Sequence, residues 1–454
     1  MKNKKKLILF LVFILTSNCS FDNKTGIWNG EREIERIGVL EKEQINEESK
    51  EQDSSFEQIY SSDDLFTKEI TLTKTITLSS PKKNLSWKMS SLNYQNFLGN
   101  IYLSGIDSIF LKEKIGKNKF STPKIISSPL IYEDNIIFSD NNGTIFNINQ
   151  SGTLNWKKNI YKKVYKKVYK SLVFAVYKNN LFIADNIGFI YSINLATGET
   201  IWIKNHGIPL KSNIKVYDDK IILINQENRI FCLDSTDGKK LWDVRSISSF
   251  IKLQNFLSSS ISQEGELLVI NSSGELIKIN ITDGRMKWAF NTLGSSLLHD
   301  ADFFKSSKVV INDDDIILSI KSSLFSYDLA TGFNNWKQEV STNGTPIIVG
   351  DNIFLVTSNG FFVIIDNETG RIISSSNILN LLKNKKQKTR ITGFVMGSGK
   401  VYSTTANGFL IVASATSGKA DFFTNIGDPI ASSPVISNGN LYILTKNSRI
   451  LGFN

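Results

Sequence analysis

The hydrophobic and polar positions of this chain recur as one phrase. A short run in which apolar and polar residues alternate leads to a turn closed by Gly, and a Trp follows four residues after the Gly. Four copies are complete: IYSINLATGETIW (190–202), IFCLDSTDGKKLW (230–242), LIKINITDGRMKW (276–288) and LFSYDLATGFNNW (324–336). IFNINQSGTLNW (145–156) is one residue shorter, while FVIIDNETGRIIS (362–374) and LIVASATSGKADF (410–422) keep the Gly and lose the Trp. Period-two alternation predicts strands, and a hairpin turn that needs one residue at positive φ explains the Gly. The glycines Gly152, Gly198, Gly238, Gly284, Gly332, Gly370 and Gly418 return at intervals of roughly forty to fifty residues, a β-propeller period.

Each period supplies four strands, A to D. Over 172–205, LVFAVYKN predicts A, NLFIADN predicts B, GFIYSINLATG gives C with its turn, and ETIWIKN gives D. The last turn glycine, Gly418, is followed by ASSPVISNGNLYILTKNSRILGFN (431–454), which holds strands A, B and C and then ends. The missing outer strand is expected from NLSWKMSSL (84–92), whose Trp87 has no strand C before it. Placed beside the tail, it would close the ring and remove two exposed edges. The reading is all-β: an eight-bladed β-propeller of four-stranded antiparallel blades spanning 84–454, closed by an N-terminal strand. A seven-bladed ring would require a misread blade within 91–160. The stretch TLTKTITL (71–78) alternates like a strand whose partner the sequence does not name.

Charge divides the chain. Residues 1–19, MKNKKKLILFLVFILTSNC, combine a basic start, an apolar run and a Cys, which predicts an export signal with lipidation at Cys19. Ser20 after that Cys suits retention at the outer membrane, facing the periplasm. Residues 20–83 read as a disordered acidic tether: Glu31 to Asp64 holds twelve carboxylates against four cations. The length from Cys19 to Asn84 gives a reach of roughly 45 Å. The net charge of +10 therefore sits on a basic body. It points to anionic partners, either acidic protein surfaces or lipid headgroups, and export argues against nucleic acid. Two basic insertions, NIYKKVYKKVYKS (159–171) and NLLKNKKQKTR (380–390), join blades.

Chemistry is sparse. Only Cys19 and Cys232 exist, and Cys232 within IFCLD reads as a small buried hydrophobe. His206 and His299 stand far apart without metal-ligand spacing around them. No nucleophile elbow, zinc motif or phosphate loop occurs. Asp313, Asp314 and Asp315 read as a hairpin turn. The expectation is a protein without catalytic, metal or cofactor residues, although a propeller's central channel is a possible ligand site.

The strand, Asp-x-x-Thr-Gly turn and following Trp resemble the repeats of pyrroloquinoline-quinone-dependent dehydrogenases. Those enzymes are longer, and many carry vicinal cysteines and a calcium-binding carboxylate set that this chain lacks. The chain is more similar to the BamB family, periplasmic lipoproteins of the outer-membrane β-barrel assembly machine. That resemblance implies a non-enzymatic eight-bladed scaffold, lipid-anchored to the outer membrane, that binds the periplasmic domains of a BamA-like subunit and handles nascent outer-membrane proteins. After Trp242 the family carries Ser-Leu-Ser-Leu-Arg. Here the same offset reads Phe250-Ile251-Lys252-Leu253-Gln254, which keeps the apolar pair Ile251 and Leu253 and has Gln254 where the family has Arg. One blade later the family's Asp-x-Asp matches Asp300-Ala301-Asp302. The resemblance implies that Ile251, Leu253, Gln254, Asp300 and Asp302 form a partner-binding patch. The alternative is a ligand-binding or quinone-dependent enzymatic propeller that uses its channel.

Overall fold

The computed structural model describes residues 20–22, 27–29, 42, 66–115, 127–140, 142–165, 167–247, 257–293, 305–382, 389–430 and 432–454. Apart from a short ladder between Ser20–Asp22 and Ile27–Asn29, its strands form eight four-stranded antiparallel sheets. We number the blades 1 to 8 by their innermost strands, which begin at Leu130, Leu172, Lys215, Ser258, Val310, Ile347, Ile391 and Val435. The propeller has eight blades, and the seven-bladed alternative falls.

Strands A to D run from the axis outward and alternate in direction. All A–B and C–D turns therefore lie on one face, here the hairpin face. The B–C turns and the D-to-A connections between blades lie on the other, the crossing face. B and C strands read as continuous buried runs, such as Leu181–Asp185 and Phe189–Ile193, because neighbouring blades cover both of their surfaces. Every blade carries a register shift between C and D, for example at Cys232/Leu233 and Lys278/Ile279, which adds twist where the outer strand turns away.

The Gly–Trp phrase locks blade to blade. The indole N–H of Trp156 donates to Leu195 O of blade 2 at 2.8 Å, and that of Trp242 donates to Ile281 O of blade 4 at 2.9 Å. Trp336 repeats the bond to Asn367 O of blade 6 at 2.9 Å. The turn glycine of the following blade lies flat on the same ring. A Cβ on Gly284, which sits at φ 75°, would come within 2.8 Å of Trp242 Cδ2. A Cβ on Gly370 would lie 2.5 Å from Trp336. Glycine is thus needed twice at this position, for its backbone angle and for the ring it supports.

The ring closes with a different strand from the one expected. Ile109–Lys114, sequence IFLKEK, pairs antiparallel with Arg449–Phe453 and forms the outer strand of blade 8. Leu111 occupies the place that Trp holds in blades 1 to 5, beneath Gly152 of blade 1. NLSWKMSSL is not an outer strand. Trp87 pairs with Ile131 on the innermost strand of blade 1, is buried, and its indole N–H has no acceptor among the described residues, unlike the repeat tryptophans.

Instead, residues 84–101 cross the axis and touch the innermost strand of all eight blades, or the residues directly flanking it. Lys88 O accepts from Val176 N of blade 2 at 2.7 Å, and Tyr94 O from Ile261 N of blade 4 at 2.9 Å. Gln95 O accepts from Ile311 N of blade 5 at 3.1 Å. Ser91 Oγ meets Thr345 Oγ1 of blade 6 at 3.0 Å. Ile101 N donates to Met396 O of blade 7, and Asn84 O accepts from Asn438 N of blade 8. Residues 66–83, expected to belong to the tether, also lie on the ring. Ile70 and Ser375 exchange two backbone hydrogen bonds, so this segment edges the outer strand of blade 6, and Lys74 reaches Asp366 at 3.0 Å. Within the predicted strand at 71–78 no ladder forms: Thr73 N donates to Ile373 O at 3.0 Å, beside the Ile70 bridge.

Candidate docking rim and axial channel

The residues expected to grip a partner, Ile251, Leu253, Gln254, Asp300 and Asp302, lie outside the described residues, as does Cys19. Their mounts are described. The connection from blade 3 to blade 4 leaves at Ile247 and returns at Leu257, and that from blade 4 to blade 5 leaves at Leu293 and returns at Lys305. Both depart from the crossing face beside one B–C turn, Asn271–Glu275 of blade 4.

That turn is tied to each connection by name. Asn228, held at φ 58° in the neighbouring B–C turn, donates to Ile247 O at 2.8 Å and accepts from Ser272 Oγ at 2.8 Å. Ser273 Oγ donates to Ile247 O at 3.0 Å. Asn271 Nδ2 donates to Ser246 Oγ at 3.0 Å and to Glu275 Oε2 at 2.9 Å. Ile247 N also donates to Glu275 Oε2, at 3.3 Å. On the other side Thr292 N and Oγ1 both donate to Gly274 O, at 2.8 and 2.7 Å, and Asn291 Nδ2 to Ser273 O at 3.1 Å. The Glu275 carboxylate is buried yet served by amide donors, which offsets its desolvation. The result is a hydrogen-bonded base that holds the two anchors, with Ile247 itself 59% exposed. An exposed apolar residue on a fixed backbone is suited to anchor a protein partner.

The axial channel is the second candidate. At its hairpin-face end the volume belongs to the chain itself. Lys215 of blade 3 is buried there and its ammonium donates to Ser90 O (2.9 Å), Asn93 O (2.6 Å) and Asn96 Oδ1 (2.6 Å). Burial, with Lys308 adding repulsion, holds its pKa well below the usual lysine value. Asn96 Nδ2 donates to Ser259 O and Val309 O, spanning blades 4 and 5. Among the described residues no three His, Cys, Asp or Glu side chains converge on a metal position. These residues do not fit a quinone with a coordinated calcium ion, because this end of the axis is filled by residues 84–101 and Lys215 is engaged by Ser90 O, Asn93 O and Asn96 Oδ1.

The remaining expected features are structural. Burial pushes the Cys232 thiol up to about 12, so it stays an inert core thiol. Burial against Phe231, with Lys240 and Arg229 nearby, lowers His206 to about 4 and keeps it neutral at pH 7. Asp313 and Asp314 form the A–B turn of blade 5, and Asp315 begins the next strand, where Asn335 Nδ2 donates to its carboxylate. The sequence reading missed Asn228, Asn271 and Glu275. Their only signal is an Asn-rich B–C turn, which occurs in several blades and so does not mark this one.

With this geometry in view, comparison with known proteins is decisive on one point. The profile of the family described as outer membrane protein assembly factor BamB matches residues 141–376. The chain belongs to the BamB family. It is 27% identical over 205 residues to the BamB of Shewanella oneidensis, covering 39% of this chain and 49% of that one. It is 20% identical over 277 residues to the BamB of Moranella endobia, covering 56% and 66%. Against the first of these curated relatives the chain spans about half of the relative's length. The crystal structure of BamB from Moraxella catarrhalis superposes with a TM-score of 0.63 at 13% identity, over 76% of this chain and 100% of that chain. A europium-containing methanol dehydrogenase superposes at 0.61 with 11% identity, over 80% and 90%. At such identities these likenesses establish the propeller fold, which BamB shares with quinone enzymes.

Proposed function

We propose that this BamB-family propeller is a non-enzymatic scaffold lipoprotein of the outer-membrane β-barrel assembly machinery. In this reading Cys19 carries the lipid, residues 20–65 tether the body in the periplasm, and the crossing face at blades 3 to 5 binds the periplasmic domains of a BamA-like subunit. Ile251, Leu253 and Gln254 from one connection and Asp300 and Asp302 from the next supply the contacts, and nascent outer-membrane proteins are the clients. The observation that carries the reading is the single B–C turn of blade 4 that mounts both connections, so the segments bearing these five residues start from adjacent anchors. Apolar anchors beside carboxylates suit docking, the former giving affinity and the latter register.

The test is affinity recovery from solubilised envelopes. Leu253→Asp and Asp300→Arg together should abolish recovery of the barrel-assembly subunit while leaving the unfolding midpoint unchanged; undiminished recovery removes the patch. The dehydrogenase-like fold motivates one competing reading, an enzyme that uses the channel. Incubation with pyrroloquinoline quinone and calcium should leave no bound chromophore and no dye-linked alcohol oxidation, since residues 84–101 hold the axis.

A further inference from the structure

The insertion between blades 1 and 2, YKKVYKKVYK (161–170), packs against blade 2 through its aromatic residues; Lys170 is buried with its ammonium 5.5 Å from the Tyr161 ring, while Lys163 and Lys167 turn outward. Tyr161 Oη donates to Asp185 Oδ2 at 2.7 Å, and its ring meets Tyr191 edge-on at 6.4 Å. Tyr165 is buried with its ring edge-on to Phe189 at 5.6 Å, and Val168 is buried beside them. Lys163 and Lys167 are exposed, with Val164 44% exposed next to Lys163. The nearby carboxylates face inward. Asp185 Oδ1 accepts from the backbone N–H groups of Ile187, Gly188 and Phe189, and Asp140 Oδ1 from those of Asn142 and Thr144. Among the described residues, the exposed carboxylates Glu227, Glu339 and Glu69 of this face belong to blade 3, to the connection after blade 5 and to the segment that edges blade 6. By contrast, A–B and C–D turns on the hairpin face expose Asp134, Asp218, Asp237, Asp283, Asp313 and Glu368, interspersed with cations such as Lys239 and Arg285.

A second observation fixes which face meets the N-terminal chain. Phe66 lies at the B–C turn of blade 6, on the crossing face, with its ring 5.6 Å from Phe361 and its carbonyl accepting from Asn359 Nδ2 at 2.8 Å. The polypeptide therefore enters the ring from the face that carries the basic insertion.

We propose that the insertion at blades 1 and 2 is a membrane contact: Lys163 and Lys167 bind anionic phospholipid headgroups while Val164 rests at the headgroup boundary. The crossing face then lies toward the bilayer. The packing of Tyr161, Tyr165 and Val168 anchors the backbone that carries Lys163 and Lys167, so binding costs little further ordering of that backbone. This contact is independent of the protein-partner reading, because it lies in another sector of the ring and needs no partner.

The experiment is co-sedimentation of the full chain bearing Cys19→Ala, so that no acyl chain contributes. Vesicles of phosphatidylethanolamine with phosphatidylglycerol are compared with vesicles of phosphatidylcholine alone. Binding should require phosphatidylglycerol and weaken as salt rises. Lys163→Glu with Lys167→Glu should lower the partition coefficient by at least about 25-fold, at about fivefold for each lysine near the surface. Lys239→Glu with Arg285→Glu on the hairpin face should leave it within about twofold. Equal binding to both vesicle types, or an unchanged coefficient for the insertion variant, overturns the proposal. So does an insertion variant that keeps vesicle binding but loses an acidic protein from envelope extracts, since the patch then serves that protein. Circular dichroism of each variant confirms an intact ring before binding is compared.

Discussion

Gly284→Ala isolates the contact that joins one blade to the next. Gly284 sits at φ 75°, where an alanine costs about 1–2 kcal/mol in backbone strain. Its new methyl would also lie 2.8 Å from Trp242 Cδ2 and 2.9 Å from Cε3, inside van der Waals contact. The ring cannot retreat without stretching its 2.9 Å bond to Ile281 O, so a further overpacking cost of about 1–3 kcal/mol follows. The total is about 2–5 kcal/mol, read from urea unfolding followed by tryptophan fluorescence and circular dichroism. Gly207→Ala is the control: φ is 72° there, but nothing lies within 4 Å of the added carbon, so only the strain of about 1–2 kcal/mol remains. Adding Trp242→Ala removes the obstacle, and the double variant should recover about 1–3 kcal/mol relative to the sum of the single effects. If Gly284→Ala is no worse than Gly207→Ala, or if the cycle is additive, the Gly–Trp contact does not hold the blades together.

Two further outcomes follow from the same structure. Burial raises Asp185 to about 6, above its ordinary value of 3.8, despite the Tyr161 and backbone hydrogen bonds that oppose the shift. The native state therefore keeps a proton that the unfolded chain releases, and stability from this group is full below pH 4 and falls as pH rises to 6, by up to about 3 kcal/mol. Asp185→Asn should flatten that part of the stability–pH profile; an unaltered slope refutes the burial argument. For ring closure, Glu113→Cys with Ile450→Cys, in a background of Cys19→Ser and Cys232→Ala, should form a disulfide on mild oxidation because these residues face each other in the closing ladder. Failure to cross-link, with the protein still folded, would contradict the assignment of IFLKEK to blade 8.

The repeat was legible because its two signals have separate physical causes that coincide: a positive-φ turn and a ring that needs a flat neighbour. Gly198, Gly238, Gly284 and Gly370 fulfil both requirements, and the seven turn glycines from Gly152 to Gly418, with the tail 431–454 after them, give the eight blades. The closing strand carries neither signal. Ile109–Lys114 follows no strand C and no turn glycine in the chain, and Leu111 replaces the Trp, so the segment that carries Trp87 is the better match to an outer strand in sequence. Trp87 is instead a core residue of the axial segment. That segment was illegible for another reason: Ser90, Asn93, Tyr94 and Gln95 bind through backbone carbonyls to residues more than a hundred positions away, and no local pattern encodes such bonds. Lys215 looked like one more surface lysine in a basic chain, yet it is buried at 1% exposure. Of the docking site, the adjacency of the two connections follows from blade order alone. The polar mount at Asn228, Asn271 and Glu275 does not, because its hydrogen bonds run between blades.

The account rests most directly on which face meets the assembly partner. A photo-cross-linking side chain placed at Ile247 on the crossing face, and separately at Glu368 on the hairpin face, can be activated in intact cells that export the chain. A cross-linked product containing the barrel-assembly subunit is expected from position 247 and none from position 368. Capture of that subunit from position 368 alone would contradict it.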